Sequence, residues 1–265
     1  MHHIFINENE IDLSNKTIRL DGKSENYNHL VKSLRIEVGE MVLCSVVPFL
    51  SSFDYKAEVR EIDGENLTLS ISEETKANEL AVDINLYQGI SKSDKLEFII
   101  EKSVELGVKS ITPIATEYCV AKIEDKKSEK KIERYNKISK SAAEQSKRHI
   151  VPEVHDPIDF KKMIDKIVAV NLDDNGNAIE TYNLLFYENA AGITETREKI
   201  AKIKENKDKK KAEVNVIIGP EGGFSEKEIT LAKNSNIDIL SLGDRILRTE
   251  TAAVTALSIL MYELS

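Results

Sequence analysis

The sequence predicts an α/β protein with two parts, a small β unit followed by a larger unit built on a parallel sheet. At 265 residues the chain is long enough for two modest domains. Up to about residue 72 the pattern consists of short strand-like segments separated by Asn, Asp, Gly and Ser turns. From about residue 80, apolar strand patterns alternate with longer helical patterns, which is typical of a parallel sheet. We therefore expect domains at 1–72 and 81–265, joined by a linker at 73–80.

Five strands and one helix are expected in the first unit. The helix is expected within NHLVKSLRIEVGE (28–40), where apolar residues recur at helical spacing and Gly39 closes the segment. The predicted strands, in chain order, are HIFI, TIRL, MVLCSVV, YKAEVREI and NLTLSI.

In the second unit, five buried strands alternate with helices whose ends carry recognisable signals. Asp94 and Glu97 have the spacing of a capping box, and Gly107 supplies a left-handed stop for the same helix. Ser225 and Glu228 repeat the capping-box spacing. The last segment, TETAAVTALSILMYEL, is apolar nearly all round and predicts a buried helix. The predicted strands are VDINLYQ, SITPIA, NLLFYE, VNVIIG and IDILSL.

Composition and charge describe a globular protein with uneven charge. Hydrophobic residues make up 41% of the chain and charged residues 31%, which argues against disorder. A net charge of −9 argues against a surface that binds nucleic acid everywhere. Residues 122–149 nevertheless carry ten Lys or Arg against five acids, and residues 199–211 carry seven against two. Such segments are either patches for nucleic acid or solvated helix faces, and composition alone does not separate the two.

The cysteines and the first residues indicate an intracellular protein. Cys44 and Cys119 lie far apart among apolar neighbours, as expected for reduced thiols rather than for a disulfide or metal site. The segment MHHIFINENEI lacks the cationic start and apolar core of a signal peptide, and no apolar stretch is long enough to span a bilayer. We expect a cytoplasmic protein without a bound metal.

The segment NVIIGPEGGFSEKEI (215–229) places a glycine-rich loop between a strand and a capped helix. Ligands of parallel α/β sheets bind beyond the carboxyl ends of the strands, which is where this loop is expected. Its spacing matches neither G-x-G-x-x-G nor G-x-x-x-x-G-K-[ST], so a dinucleotide fold and a P-loop are not supported. Pro220 fixes its own φ, whereas Gly222 and Gly223 permit positive φ and close backbone approach. The loop is either a stiff ligand cradle or an ordinary tight turn.

A second polar loop, LSLGDRILRTETA (240–252), also follows a strand and leads into the last helix. Taken singly, Thr249 and Thr251 suit helix caps, and Arg248 with Glu250 suits a surface ion pair. Two such loops at the ends of strands in one sheet together favour a ligand site.

The two loops, GPEGG (219–223) and LGDRILRTETA (242–252), resemble the cofactor loops of the SPOUT methyltransferases. Further segments at 28–40, 89–108 and 142–154 narrow the resemblance to the RsmE family, the ribosomal small-subunit RNA methyltransferases E. The resemblance spans nearly the whole chain.

This resemblance implies a fold, a cofactor and a reaction. The fold is a PUA-like RNA-binding β-barrel followed by a SPOUT-type α/β domain with a C-terminal trefoil knot. S-adenosylmethionine binds in the knot of a homodimer, and its methyl group goes to N3 of a uridine in 16S ribosomal RNA, free or in the small ribosomal subunit. The implied cofactor-binding residues are Gly219, Glu221, Gly222, Gly223, Leu242, Gly243, Ile246, Leu247, Arg248 and Thr249.

The chemistry of the reaction suggests roles for two further side chains. N3 of uridine loses a proton during methylation and charge spreads onto the neighbouring carbonyl oxygens, where Arg248 would stabilise it. Glu250 would accept the proton, directly or through water, although a capping or ion-pair role is an equal alternative. The residues expected to contact RNA are Arg35, Lys95, Lys102, Gln145 and Arg148. Lys102 also suits an ion pair with Glu101 or Glu105.

Two alternatives remain open at this stage. One is a SPOUT methyltransferase for another RNA, such as a 2′-hydroxyl of transfer RNA, and the other is a non-catalytic RNA-binding or ribosome-assembly factor. The segments at 28–40 and 142–154 speak against the first, and the two intact loops speak against the second. Tyr118 and Cys119 stand where the family often has an arginine and a serine, which argues against a cationic role at those positions.

Overall fold

The chain folds into two units, each with its own β-sheet. The first comprises Met1–Glu79 and Ala143–Ile150, and the second comprises Leu80–Ala142 and Val151–Ser265. Residues 143–150, which the sequence predicts in the second domain, therefore group with the first unit. The computed structural model describes residues 1–47, 53–119, 125–169, 172, 176, 178–207 and 211–265.

The sheet of the first unit contains every strand predicted there. Its strands are β1 (His2–Asn7), β2 (Ile11–Asp12), β3 (Thr17–Asp21), β4 (Met41–Val47), β5 (Phe53–Ile62) and β6 (Asn66–Lys76). Within the described residues their order is β1-β4-β5-β6-β3-β2, with β1 parallel to β4 and the other neighbours antiparallel. Because β6 extends to Lys76, the first half of the predicted linker is strand.

The helix expected over 28–40 is shorter than predicted. A short helix, α1 (Glu25–Tyr27), continues into a π-helical turn over Asn28–Ser33. The turn ends because Arg35 takes a left-handed conformation, with φ of 55°. The amide of Ile36 then donates to the carbonyl of Leu30, and both side chains are buried.

The second unit is a parallel sheet covered by helices, as the sequence predicts. Its strands are β7 (Asp83–Gly89), β8 (Ser110–Ala115), β9 (Glu153–Val154), β10 (Ile158–Asp159), β11 (Glu180–Phe186), β12 (Ala212–Ile218) and β13 (Asp238–Leu240). The path β10-β8-β7-β12-β11-β13, with β9 beside β8, has only parallel pairs among the described residues. The helices are α2 (Ser93–Glu105), α3 (Asp125–Ser146), α4 (Phe160–Ile167), α5 (Thr194–Asn206), α6 (Glu226–Asn234) and α7 (Thr249–Leu264). The basic segments at 122–149 and 199–211 fall largely on α3 and α5, and residues 122–124 and 208–210 lie outside the described part.

The helix signals are partly confirmed. Ser225 and Glu228 form the predicted capping box of α6, and Gly107 ends α2 with φ of +93°. The capping box at Asp94 is wrong, because α2 begins earlier, with Lys92 at its N-cap position. Glu97 instead pairs with Arg134 at 2.7 Å.

The last helix, α7, is buried on one face only. It packs against α2, α5 and β12, and its inward face consists of Ala253, Ala256, Leu257, Leu260 and Leu264. Tyr262 is 79% exposed, so the prediction of burial all round is wrong for the single chain. In the part of the chain that the structure describes, no helix is both long and apolar enough to cross a membrane.

A buried polar chain crosses the core of the first unit. Ser45 donates its only hydroxyl proton to Asp54, so its oxygen accepts the hydrogen bond from Nε2 of His3, at 2.9 Å. Asp54 also accepts from Nδ1 of His149, at 2.7 Å. Cys44, a free and buried thiol as predicted, lies on the same strand as Ser45.

Protonation of His3 opposes folding of this unit. Burial lowers the pKa of His3 below its usual 6.5 and outweighs the raising effects of Asp54 and of the backbone at Ala143 and Glu144, while His149 adds a smaller lowering. Well above pH 6.5, His3 is neutral in both the folded and the unfolded chain. Between pH 6.5 and the lowered pKa of the folded state, His3 takes up a proton in the unfolded chain but not in the folded one. The free energy of unfolding should therefore fall as the pH falls from about 6.5 toward the lowered folded pKa.

We predict faster amide hydrogen exchange in β1 and β4 at pH 5.5 than at pH 7.5, after correction for the intrinsic exchange rates. The variant His3→Gln keeps a donor for Ser45 but has no titrating group, so its protection should depend less on pH. An equal pH dependence in both proteins would contradict this account.

Candidate active site

Both predicted ligand loops lie at one edge of the parallel sheet. The strands β7, β12, β11 and β13 are parallel, so their carboxyl ends share that edge. A cavity of about 400 Å³ opens there between the two loops. Its lining comprises Lys95, 186–188, 218–224, 241–243, 245–249 and Ala252.

The first loop lies directly against the end of β7. A Cβ atom on Gly89 would stand 2.2 Å from the amide nitrogen of Pro220 and 2.6 Å from the carbonyl carbon of Gly219. No side chain fits in that space, because the atoms that it would meet belong to the backbone and to the rigid ring of Pro220 and cannot rotate away. Glycine at 89 is therefore a condition for placing the GPEGG loop where it is.

Inside the GPEGG loop, a tight turn is held by glycine conformations. The amide of Gly223 donates to the carbonyl of Pro220 at 3.0 Å, and Gly223 has φ of +69°. A Cβ on Gly222 would approach Cβ of Tyr118 to 2.7 Å. Tyr118 thus packs against the GPEGG loop.

A buried side-chain link joins three segments of the site. The fully buried Gln88 donates from Nε2 to the hydroxyl of Thr249 at 2.9 Å and lies 3.3 Å from the carbonyl of Gly219. The hydroxyl of Thr249 in turn donates to the same carbonyl at 2.6 Å. The end of β7, the first loop and the start of α7 are thereby fixed relative to one another. Sequence reasoning missed Gln88, whose only signal was a polar residue ending an apolar strand.

The second loop is anchored at its start and exposed at its middle. The hydroxyl of Thr196, on α5, donates to the carbonyl of Ser241 at 2.8 Å. Gly243 has φ of +112°, which a side chain would strain. Ile246 is 85% exposed although it lines the cavity. Arg248 occupies the N-cap position of α7 and its side chain is exposed.

One lysine and two glutamates form a cluster of charges at the site. Nζ of Lys95, in the first turn of α2, lies 3.3 Å from Oε1 of Glu221 and 3.7 Å from Oε2 of Glu250. Burial alone would raise the pKa of Glu221, but hydrogen bonds from its own amide, Lys95 and the amide of Lys92 lower it overall. Glu221 is therefore ionised at neutral pH and opposite in charge to Lys95.

The predicted cofactor residues all line one cavity. All ten belong to its lining, from Gly219 in the first loop to Thr249 in the second. The hydroxyl of Thr249 is already bonded inside the protein, so its backbone amide is the group available to a ligand. Glu188, which sequence reasoning missed, is an exposed carboxylate of the lining two residues beyond β11. Within the described part of the chain, Glu250 contacts Lys95, and not Arg248 as in the ion pair that the sequence offered as an alternative.

The predicted RNA-contacting residues have different environments. Arg35 and Gln145 are exposed. Lys102 forms the alternative ion pairs, at 2.7 Å from Glu101 and 2.8 Å from Glu105. Lys95 lines the cavity.

The prediction for Arg148 needs correction. Arg148 is 5% exposed and its guanidinium pairs with Glu79, which also accepts from the amide of His149 at 2.9 Å. Such a buried pair fixes the segment after α3 within the first unit, and phosphate groups have no access to it.

Comparison with known proteins identifies the family. The model of the RNA methyltransferase domain matches residues 78–261. Ribosomal RNA small subunit methyltransferase E of Bacillus subtilis is 32% identical over 247 residues, which cover 90% of this chain and 88% of the relative. The chain belongs to the ribosomal RNA small subunit methyltransferase E family. The resemblance found in the sequence is thereby confirmed.

Solved structures of relatives share the fold over almost the whole chain. The family member from Neisseria gonorrhoeae, bound to S-adenosyl methionine, is 27% identical with a TM-score of 0.77, covering 99% of this chain and 97% of its own. A methyltransferase structure from Legionella pneumophila, in complex with the same cofactor, is 30% identical with a TM-score of 0.77, covering 98% and 96%.

We predict that Gly89→Ala weakens the binding of S-adenosylmethionine about tenfold or more. The added methyl group must displace the GPEGG loop, and overpacking of this kind costs about 1–3 kcal/mol. Isothermal titration calorimetry measures the affinity, and circular dichroism checks that the variant is folded. A folded variant with wild-type affinity would show that the close backbone approach does not shape the cofactor site.

Proposed function

We propose that this protein transfers the methyl group of S-adenosylmethionine to N3 of a specific uridine in 16S ribosomal RNA. The observation that carries the proposal is the single cavity lined by both glycine loops, in a chain of the small-subunit methyltransferase E family. The substrate is the RNA itself or the small ribosomal subunit.

The cavity suits this cofactor by shape and by available groups. Its size, about 400 Å³, lies in the range of small-molecule sites. Backbone groups of the 219–223 and 242–249 loops would hold the cofactor, which agrees with the three glycines of the first loop and with Gly243 in the second. When bound, S-adenosylmethionine supplies a methyl group activated by the adjacent sulfonium charge. The protein then has to align donor and acceptor and to handle one proton.

Two side chains provide the remaining chemistry. Arg248 is exposed beside the cavity, so its guanidinium is free to approach uracil carbonyl oxygens and stabilise the negative charge that develops on them. Oε2 of Glu250 is buried and has no hydrogen-bond partner among the described residues. We assign to it the role of proton acceptor, directly or through one water molecule.

The RNA surface that we propose is smaller than the sequence suggests. Arg35 and Gln145 are exposed and retain the predicted role. Lys102 offers a cation whose charge is already shared with two carboxylates. Arg148 is removed from this list because it is buried.

The finer features of the fold are part of the same proposal. We propose that the first unit is a PUA-like barrel and that the second unit is a SPOUT domain with a C-terminal trefoil knot, the bounds of 1–72 and 81–265 expected from the sequence being shifted to those of the two units. In support of the knot, α7 packs against α2 and β12 although the preceding strand, β13, lies at the sheet edge. We also propose a homodimer, supported by the exposed Ile246 and Tyr262 on the second loop and α7.

The test of the function is the modification itself. We expect 16S RNA from cells lacking this protein to lose 3-methyluridine, and a plasmid copy to restore it, measured by nucleoside digestion and mass spectrometry. An unchanged level of 3-methyluridine would refute the proposal. The loss of a 2′-O-methylated nucleoside from transfer RNA instead would indicate another RNA substrate.

Arg248→Ala should abolish methyl transfer while the affinity for S-adenosylmethionine changes by no more than a few fold. The loss of one fixed donor to a developing oxyanion typically lowers kcat by about 10²–10³-fold. Single-turnover assays with 16S RNA measure the chemical step, and calorimetry measures cofactor binding. Normal turnover, or lost cofactor binding with normal turnover at saturation, would refute the assigned role.

A further inference from the structure

The position of Lys95 differs from that of a lysine exposed for RNA. Its side chain is 28% exposed, and Nζ lies between carboxylates from two different segments. Glu221 belongs to the GPEGG loop, and Glu250 to the first turn of α7. One cation thus contacts both the GPEGG loop and the first turn of α7, two segments that supply residues to the cavity lining.

Each carboxylate is held from the side of α2. The amide of Lys92, at the N-terminus of α2, lies 3.5 Å from the same Glu221 oxygen that contacts Lys95. The helix N-terminus adds a further positive potential to this corner of the cavity. Glu250 is less tightly fixed, because 3.7 Å is an ion-pair distance and its Oε2 lacks a hydrogen bond within the described chain.

We propose that Lys95 is a positioning residue for methyl transfer, holding Glu250 and the GPEGG loop in one arrangement, rather than a contact to RNA phosphate. The inference rests on the proposed function, because it concerns the carboxylate to which proton transfer is assigned. Lys95 lies 3.7 Å from Oε2 of Glu250, beyond hydrogen-bond distance, so this oxygen is held near the ammonium and still has no hydrogen bond among the described residues.

Removal of the ammonium would separate the GPEGG loop from the first turn of α7. Without the ammonium, no cation among the described residues lies between the carboxylates of Glu221 and Glu250, and the two negative charges repel each other. Lys95→Met therefore disturbs both the cofactor loop and the orientation of Glu250. The expected losses fall on cofactor affinity and on the chemical step, not on RNA binding.

A phosphate contact predicts the opposite pattern. Each lysine that neutralises a phosphate contributes about 0.7–0.9 to the slope of log K against log salt concentration. Its loss weakens RNA binding at all sequences and lowers that slope, while the affinity for the cofactor is unaffected.

The test compares Lys95→Met with Lys95→Arg and with Lys227→Met as a matched control. Lys227 is an exposed lysine of α6, so its removal changes the net charge equally. For Lys95→Met we expect the cofactor affinity and the single-turnover rate each to fall about tenfold, as for a lost hydrogen bond to a charged group. Its RNA affinity and salt slope should match those of Lys227→Met, and Lys95→Arg should recover a large part of the rate.

Two results would overturn the inference. The first is a reduced salt slope with normal cofactor affinity and rate, which assigns Lys95 to RNA. The second is additive behaviour of Lys95→Met and Glu221→Gln, because groups in contact should be coupled in a double-mutant cycle. Failure of the proposed function gives a different result, because the wild-type protein would then not methylate 16S RNA in the same assay.

Discussion

The close approach of two backbones, at Gly89 and at Gly219–Pro220, is the constraint on which the rest of the site depends. Strand β7 and the loop after β12 come from distant parts of the chain, and a single methyl group between them would force them apart. Gln88 then uses this proximity, because its amide reaches Gly219 and Thr249 from the same strand end. The start of α7 is thereby fixed against the first loop.

The cavity is shaped by backbone and charged at one corner. Gly223 and Gly243 adopt positive φ, so the two loops turn without side chains that would fill the space between them. Helix α2 contributes the positive charge of Lys95, whose Nζ lies 3.3 Å from Glu221 and 3.7 Å from Glu250. A neutral, glycine-lined part and a charged corner suit a ligand that has an extended nucleoside and a charged reacting group.

Periodicity and turn signals predicted the fold well, because they are local. The ten predicted strands and the capping box at Ser225 are present, since each depends on residues within one segment. One error is local, because Arg35 takes a left-handed conformation and ends a helix that the apolar spacing would have continued. Other errors arise where distant residues decide: Glu97 pairs with Arg134 instead of forming the predicted capping box. Gln88 and Lys95 acquire their contacts from segments more than a hundred residues away, which no local pattern contains.

Arg148 shows why a matching motif does not settle the role of each of its residues. The segment at 142–154 helped to identify the family, and its cations suggested RNA. In the structure, Glu79 receives the guanidinium of Arg148 and the following amide, and Asp54 receives His149. Removing one partner of such a largely buried pair leaves a charge without compensation, which destabilises the first unit. Arg148 and His149 of this segment therefore hold the chain in the first unit after α3, whereas Gln145 and Lys147 are exposed.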